Sequence, residues 1–116
     1  MHELSIAQNI ITIVEEEYLK QNCTGDVKSI VFFAGRMNAI IPESLIFNFN
    51  TIKLENKILM NTILQLKEEP IIIKCKNCKV ENKIDDPFFI CETCGSTNIE
   101  IISGKEMYIE SIEIDD

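Results

Sequence analysis

Four of the five cysteines stand in two closely spaced pairs. The stretches "CKNC" and "CETCG" each place two cysteines three positions apart, with twelve residues between the pairs. A Cys-x-x-Cys turn directs two sulfurs to one side of a tight bend, so two such turns complete the tetrahedron of thiolates that Zn²⁺ favours. The spacing therefore predicts a structural Zn(II) site whose ligands are Cys75, Cys78, Cys91 and Cys94.

Two other uses of these cysteines are possible in principle: a pair of disulfides, or a dithiol redox site. A thiol redox protein would show two reactive cysteines and no bound zinc. A reducing cytosol and the presence of two paired knuckles weigh against both alternatives. Four thiolates leave no open coordination position, so the zinc is expected to be structural rather than catalytic. The fifth cysteine, Cys23, is interpreted as a bystander that behaves as a small hydrophobe.

The sole histidine of the chain is His2, in the opening stretch "MHELS". Methionine aminopeptidase needs a small second residue, so we expect Met1 to be retained beside this histidine. An α-amine, deprotonated backbone amides and an imidazole within a few bonds of one another form a nitrogen-rich plane. That donor set suits square-planar Ni²⁺ or Cu²⁺, whereas Zn²⁺ gains nothing from it.

Charge opposes the nucleic-acid role that a zinc ribbon often has. The chain carries a formal net charge of −8, and the four lysines between residues 70 and 99 are matched there by four acidic residues. A duplex-binding protein needs a basic face to neutralise phosphates. We therefore expect no nucleic-acid partner. The alternative function, a zinc-ribbon adaptor that contacts RNA polymerase or nucleic acid, is the weaker interpretation.

Several further classes of protein are disfavoured by the sequence. No secretory signal and no apolar run of membrane-spanning length are present, so we expect a cytoplasmic protein without a membrane partner. A catalytic triad cannot be built around one terminal histidine, and no glycine-rich phosphate loop occurs. The chain is therefore not expected to be an enzyme.

The segment that follows His2 must position it, and its apolar residues recur at three- and four-residue steps. This spacing predicts an amphipathic helix that ends near Gly25. The predicted inward stripe comprises Leu4, Ala7, Ile11, Val14 and Tyr18. Ser5 and Gln8 fit a capping box, and Glu3 is the alternative starting point of the helix.

The middle and the end of the chain alternate between strand and helix signals. A largely buried strand is predicted at 27–35, and a helix is predicted from Pro42, although the aromatic residues of "SLIFNFNT" leave a strand open there. The apolar positions assigned to that helix are Leu45, Phe49 and Ile52. "KILMNTILQLK" predicts a half-buried strand with Ile58, Met60, Leu64 and Leu66 on one face. The tail "EMYIESIEIDD" also alternates, with a slip of phase between Ile109 and Ile112.

These signals together predict an α/β (α+β) fold: two helices on a small, mostly antiparallel sheet, with an inserted four-cysteine zinc ribbon. The expected domains are 1–69 with 100–116, and 70–99. The segment between the cysteine pairs is short and polar, so the metal is expected to supply most of the folding energy of the ribbon.

The "MHELS" start before an amphipathic helix, "PESLIFNF" at mid-chain, and "CKNC" with "CETCG" resemble the HypA/HybF family of [NiFe]-hydrogenase maturation nickel metallochaperones. The resemblance spans nearly the whole chain in length and element order. It implies that 1–69 with 100–116 is a nickel-binding α/β domain and that 70–99 is a zinc domain. It also implies a protein that is not an enzyme.

The same resemblance implies the cargo and the partners. Ni(II) would be handed, together with a nickel-insertion GTPase, to the precursor of the hydrogenase large subunit, and in some organisms to urease maturation proteins. His2 would carry nickel, with Met1 and Glu3 as further backbone ligands, while Cys75, Cys78, Cys91 and Cys94 would carry zinc. Some relatives complete the nickel plane with a second histidine or with an acid near the second helix; this chain has one histidine, and Pro42 with Glu43 stands at the latter place.

Overall fold

The computed structural model describes residues 2–85 and 88–115, which form two helices and six strands. The helices are α1 (His2–Lys20) and α2 (Pro42–Ile52). The strands are β1 (Asp26–Gly35), β2 (Ile63–Glu69), β3 (Ile71–Cys75), β4 (Glu81–Ile84), β5 (Ile99–Ser103) and β6 (Met107–Asp115). They form two three-stranded sheets with the orders β2-β1-β6 and β4-β3-β5. Two helices with small, mostly antiparallel sheets and a four-cysteine cluster confirm the predicted fold class.

The chain divides into two compact units. The unit that contains both helices, called here the helical unit, comprises Met1–Phe32, Ile40–Lys67 and Tyr108–Asp116. The other, called here the cysteine unit, comprises Phe33–Ala39 and Glu68–Met107. The cysteine unit thus contains the whole of the 70–99 segment together with 33–39, 68–69 and 100–107.

In the helical unit, α1 packs against α2, and the sequence correctly predicted both helices. The inward face of α1 differs from the predicted stripe: it consists of Glu3, Ile6, Ala7, Ile10 and Val14. Leu4 is 38% exposed. The capping-box prediction is wrong, because the helix already includes His2 and Ser5 lies inside it. Because the helix includes residue 3, the Glu3 side chain lies on the same face as Ala7, four residues later.

The strand predicted over "KILMNTILQLK" is shorter than expected. β2 begins at Ile63, and the residues before it form a turn in which Leu59 is buried and Met60 is exposed. The Oδ1 atom of Asn56 accepts a hydrogen bond from the backbone N–H of Ile58 at 3.2 Å, which fixes this turn. The buried Thr62 then donates from Oγ1 to the carbonyl of Val27 at 2.6 Å. Local side-chain hydrogen bonding has therefore overridden the alternation at Ile58 and Met60.

In the cysteine unit, β3 pairs antiparallel with β4 on one side and β5 on the other. Ile71, Ile73 and Ile84 form a buried core, against which partly buried side chains pack. Those side chains are Met37, Phe89, Ile99 and Ile101. The segment between the cysteine pairs contributes Ile84 and Phe89 to this small core, while Ile71 and Ile73 come from β3.

Two glycines meet within the cysteine unit. The N–H of Gly35 donates to the carbonyl of Glu106 at 2.7 Å, and Met37 donates to the carbonyl of Gly104 at 3.0 Å. A Cβ atom on Gly35 would overlap the backbone of Gly104. Gly104 itself has φ +106° and a backbone N–H bonded to Glu69 Oε1 at 3.0 Å. Glycine is required here both for close backbone approach and for a left-handed conformation.

Within the described residues, no helix has the length and apolar character needed to cross a membrane.

Candidate metal centre

The first cysteine pair forms a tight knuckle at the end of β3. The N–H of Lys79 donates to the carbonyl of Cys75 at 2.9 Å, and the N–H of Cys78 donates to the Cys75 sulfur at 3.4 Å. Lys79 has φ +66°, the left-handed conformation that allows the chain to reverse here. The turn leaves both sulfurs on one side.

The second pair repeats this geometry. The N–H of Gly95 donates to the carbonyl of Cys91 at 2.8 Å, and Gly95 has φ +75°. Gly95 and Lys79 each stand four residues after the first cysteine of their pair. Glycine adopts the left-handed conformation of the second knuckle without steric cost, while the matching position of the first knuckle carries a lysine that is strained in it.

The two knuckles bring four sulfurs together. All four sulfur atoms lie within 4.8 Å of one another, and the Cys75–Cys94 and Cys78–Cys91 separations are 3.5 Å. These distances exceed a disulfide bond, and all four thiols are free. With a Zn–S distance of about 2.3 Å, the sulfurs of a tetrahedral site lie about 3.8 Å apart. The residues therefore fit a tetrahedral metal ion bound by four thiolates.

Exposure and pKa differ among the four thiols. Cys75 and Cys91 are buried, Cys78 is half-buried and Cys94 is exposed. The backbone N–H of Cys94 is the main cause that lowers the pKa of Cys91 to about 6. The backbone N–H of Ser96 acts to lower the pKa of Cys94, but contact with the Cys75 thiol and burial outweigh it and raise that pKa to about 12. Because metal ions bind thiolates, binding of a cation by these four groups releases protons.

The pKa values of the other two thiols, Cys75 and Cys78, are also shifted in opposite directions. The backbone N–H of Cys78 lowers the pKa of Cys75. For Cys78 itself, the backbone N–H of Val80 lowers the pKa, but burial and the neighbouring thiols raise it overall. In each of the two sulfur contacts, Cys75–Cys94 and Cys78–Cys91, one thiol has a lowered pKa and the other a raised one.

One side chain outside the cysteine pairs also reaches the cluster. The Nδ2 atom of Asn82, on β4, donates to the sulfur of Cys91 at 3.6 Å. No role for Asn82 was predicted from the sequence. The available signal was the strand "ENKI". Asn82 and the buried Ile84 are two positions apart, so in a strand their side chains lie on the same face.

The start of α1 carries the second candidate site. His2 has a side chain 54% exposed, and its Nε2 atom lies 3.6 Å from Oε2 of Glu3. The Glu3 carboxylate is buried and accepts a hydrogen bond from the N–H of Ile41 at 3.3 Å. That bond, aided by the N–H of Glu3 itself and by His2, lowers the pKa of Glu3 below its ordinary 4.5 against the effect of burial. The sequence predicted Glu3 as a source of a backbone ligand and gave no role to its side chain.

The described side chains do not form a group of three ligands that includes His2. Among residues 2–85 and 88–115, the group of three or more potential metal-binding side chains is the four-cysteine cluster, and His2 is not part of such a group. Met1 lies outside the described residues. Glu43 is exposed in the first turn of α2, and Cys23 is half-buried in the helical unit.

The fold and the sulfur cluster define a small metal-binding protein built from two units. The family model described as "Hydrogenase/urease nickel incorporation, metallochaperone, hypA" matches residues 1–114. The chain belongs to this family, and the resemblance stated from the sequence is confirmed. Proteins of this family handle metal ions during hydrogenase maturation, and the family is not one of catalytic enzymes.

Individual relatives match over most of their length. The hydrogenase maturation factor HypA of Moorella thermoacetica is 31% identical, over 97% of this chain and 98% of that protein. The factor of the same name from Desulfatibacillum aliphaticivorans is 37% identical, over 100% of this chain and 88% of that protein. The solution structure of the Ni metallochaperone HypA from Helicobacter pylori matches with a TM-score of 0.66 and 29% identity, covering 98% of this chain and 97% of that one.

Proposed function

We propose that this protein binds Ni(II) at the start of α1 through the imidazole of His2 and delivers it during maturation of the [NiFe]-hydrogenase. The family match over residues 1–114 carries the proposal. The recipient is the large-subunit precursor, and a nickel-insertion GTPase acts with this protein in the transfer. Urease maturation proteins are the second class of recipient, and the cytoplasm is the expected site of action.

The position of His2 at the first turn of a helix supports nickel binding there. The first four N–H groups of an α-helix have no intrahelical carbonyl partner, so the amides of His2 and Glu3 are not tied into the backbone ladder. These nitrogens and the exposed imidazole supply strong-field donors of the kind that a planar Ni²⁺ ion takes. The Met1 amine is the further candidate donor.

The Glu3 side chain also supports a site at the start of α1. Its carboxylate accepts the N–H of Ile41, directly before Pro42, and lies 3.6 Å from the His2 ring. The start of α1 is thereby tied to the start of α2. We infer that Glu3 contributes to the nickel site through its amide, while its carboxylate orients the His2 imidazole.

The four-cysteine cluster is proposed to hold structural Zn(II). Cys75, Cys78, Cys91 and Cys94 would each supply one thiolate, and four thiolates close the coordination sphere. The zinc ion would then stabilise the fold of the cysteine unit. It would not exchange ligands with nickel during the transfer. The 70–99 segment is accordingly the zinc domain, and 1–69 with 100–116 is the nickel domain.

The decisive experiment is a titration of Ni²⁺ into the zinc-loaded protein with its native amino terminus. Calorimetry and the visible absorption of nickel report stoichiometry and geometry. We expect about one Ni²⁺ per chain in a planar, nitrogen-rich site, and loss of this site in His2→Ala. A version with one extra residue before Met1 shows whether the terminal amine is a ligand.

Asn9→Ala serves as a matched control because it removes an exposed polar side chain from the same helix. It should bind nickel as the unmodified protein does. Equal nickel binding by the unmodified protein and by His2→Ala would overturn the proposed site. The zinc-ribbon adaptor would then be the alternative to test, and it predicts binding of nucleic acid that weakens with salt.

A further inference from the structure

Asn82 occupies an unusual place in the cysteine unit. It lies in β4 directly opposite Ile73 of β3, and directly paired residues in an antiparallel sheet share a face. That face of β3 carries the buried Ile71, Ile73 and Cys75, and β4 adds the buried Ile84. Asn82 is thus a half-buried polar residue on an otherwise apolar face of the sheet. This face ends at the cysteine cluster.

The Asn82 amide is used at the edge of the cluster. Its Nδ2 atom donates to the Cys91 sulfur at 3.6 Å. A carboxamide N–H is a donor that a thiolate accepts, and a hydrogen bond to a charged acceptor is stronger than one between neutral groups. Cys91 also lies on the buried side of the cluster, where water cannot replace a missing donor.

We propose that Asn82 is a positioning residue of the metal centre, which holds the Cys91 sulfur and withdraws charge from it. The proposal rests on metal binding by the four cysteines. A sulfur that shares its lone pair with an N–H donor is a weaker nucleophile and a weaker competitor for other soft cations. Asn82 thereby holds the Cys91 thiolate on the metal ion of the ribbon and slows its exchange with other cations.

The first test uses the unmodified protein loaded with ¹¹³Cd²⁺ in place of zinc. A hydrogen bond from Nδ2 to a metal-bound sulfur transmits scalar coupling between the amide proton and ¹¹³Cd. We expect such coupling at a side-chain amide proton of Asn82 and none at the side-chain amide of Asn77, which donates to Ser96 Oγ at 2.8 Å instead. If ¹¹³Cd is bound by four cysteines and the Asn82 amide shows no coupling, the proposal is overturned while the metal site stands.

The second test uses Asn82→Leu and Asn82→Asp, both of similar size and neither able to donate. The Co²⁺-loaded variants should show a sulfur-to-cobalt charge-transfer band at lower energy than the unmodified protein, because the sulfur is richer in electrons. If Asn82 served only in packing, the charge-transfer band would keep its energy in both variants. The apolar leucine and the charged aspartate would then differ only in the stability of the fold. Asn77→Leu is the matched control, with no shift expected.

Failure of the unmodified protein to bind Co²⁺, Cd²⁺ or Zn²⁺ at the cysteines overturns both this proposal and the proposed zinc site.

Discussion

At the scale of single residues, the acidic side chain beside His2 is the clearest finding. Glu3 is one of two polar residues identified as buried in the described structure, and its carboxylate is bonded to the N–H of Ile41. The sequence predicted correctly that the cysteines lie together, since their spacing alone requires it. It could not predict the role of the Glu3 side chain, because its partner lies 38 residues away.

Glu3 gives a prediction for the pH dependence of stability. Its pKa is lowered in the folded protein, so the charged carboxylate stabilises the fold above pH 4.5, and this contribution is lost as the pH falls through the lowered pKa. Glu3→Gln should therefore have a lower urea midpoint than the unmodified protein at pH 7, and the difference should shrink progressively below pH 4.5. Urea denaturation at a series of pH values, in the absence of nickel, measures it.

Glu43→Gln is the control for this prediction, because it removes an exposed carboxylate from the first turn of α2. A difference between Glu3→Gln and the unmodified protein that stays constant from pH 7 to pH 3.5 would show that the charge of Glu3 does not stabilise the fold.

At the scale of elements, the spacing of apolar residues predicted helices and strands correctly where one face of the element is buried. It failed where local side-chain hydrogen bonds form a turn. α2 was correctly predicted from Pro42 and from the spacing of its buried Leu45 and Phe49. The half-buried Ile109, Ile112 and Ile114 of β6 show the predicted slip of phase. By contrast, the turn around Asn56 removed Ile58 and Met60 from the predicted strand. The core of the cysteine unit was missed because its apolar residues come from segments separated by the cysteines.

The glycine contact between β1 and the segment before β6 gives an element-scale prediction. Gly35→Ala should destabilise the protein by about 3 kcal/mol, since the new methyl group meets backbone rather than a flexible side chain. The measurement is the free energy of unfolding from urea denaturation of the metal-loaded protein.

Gly95→Ala separates steric overlap from backbone strain. Gly95 has φ +75° with open space around the position of a Cβ atom, so only the left-handed conformation is penalised there, at about 1–2 kcal/mol. A loss at Gly35 no greater than at Gly95 would contradict the close backbone contact.

At the scale of the whole molecule, the division into two units assigns the metal cluster to one of them. All four cysteines of the cluster belong to the cysteine unit, whose fully buried aliphatic core is limited to a few isoleucines. A core of this size provides little stability by itself, so a bound metal ion is expected to contribute much of it.

Removal of the metal should therefore act on one unit. After treatment with a chelator, we expect faster amide hydrogen exchange in β3, β4 and β5, and retained protection in α1 and α2. Hydrogen exchange read by mass spectrometry or NMR measures this, and readdition of Zn²⁺ is the control for reversibility. Equal loss of protection in α1 and in β3 would show instead that the chain unfolds as one cooperative unit.

The discontinuity of both units also affects the order in which a nascent chain can fold. The central strand β1 pairs with β2 and with β6, and β6 leaves the ribosome after the whole of the cysteine unit has been made. The segment 33–39 likewise emerges long before the 68–107 residues with which it forms a compact unit. Neither unit can therefore be completed during most of translation.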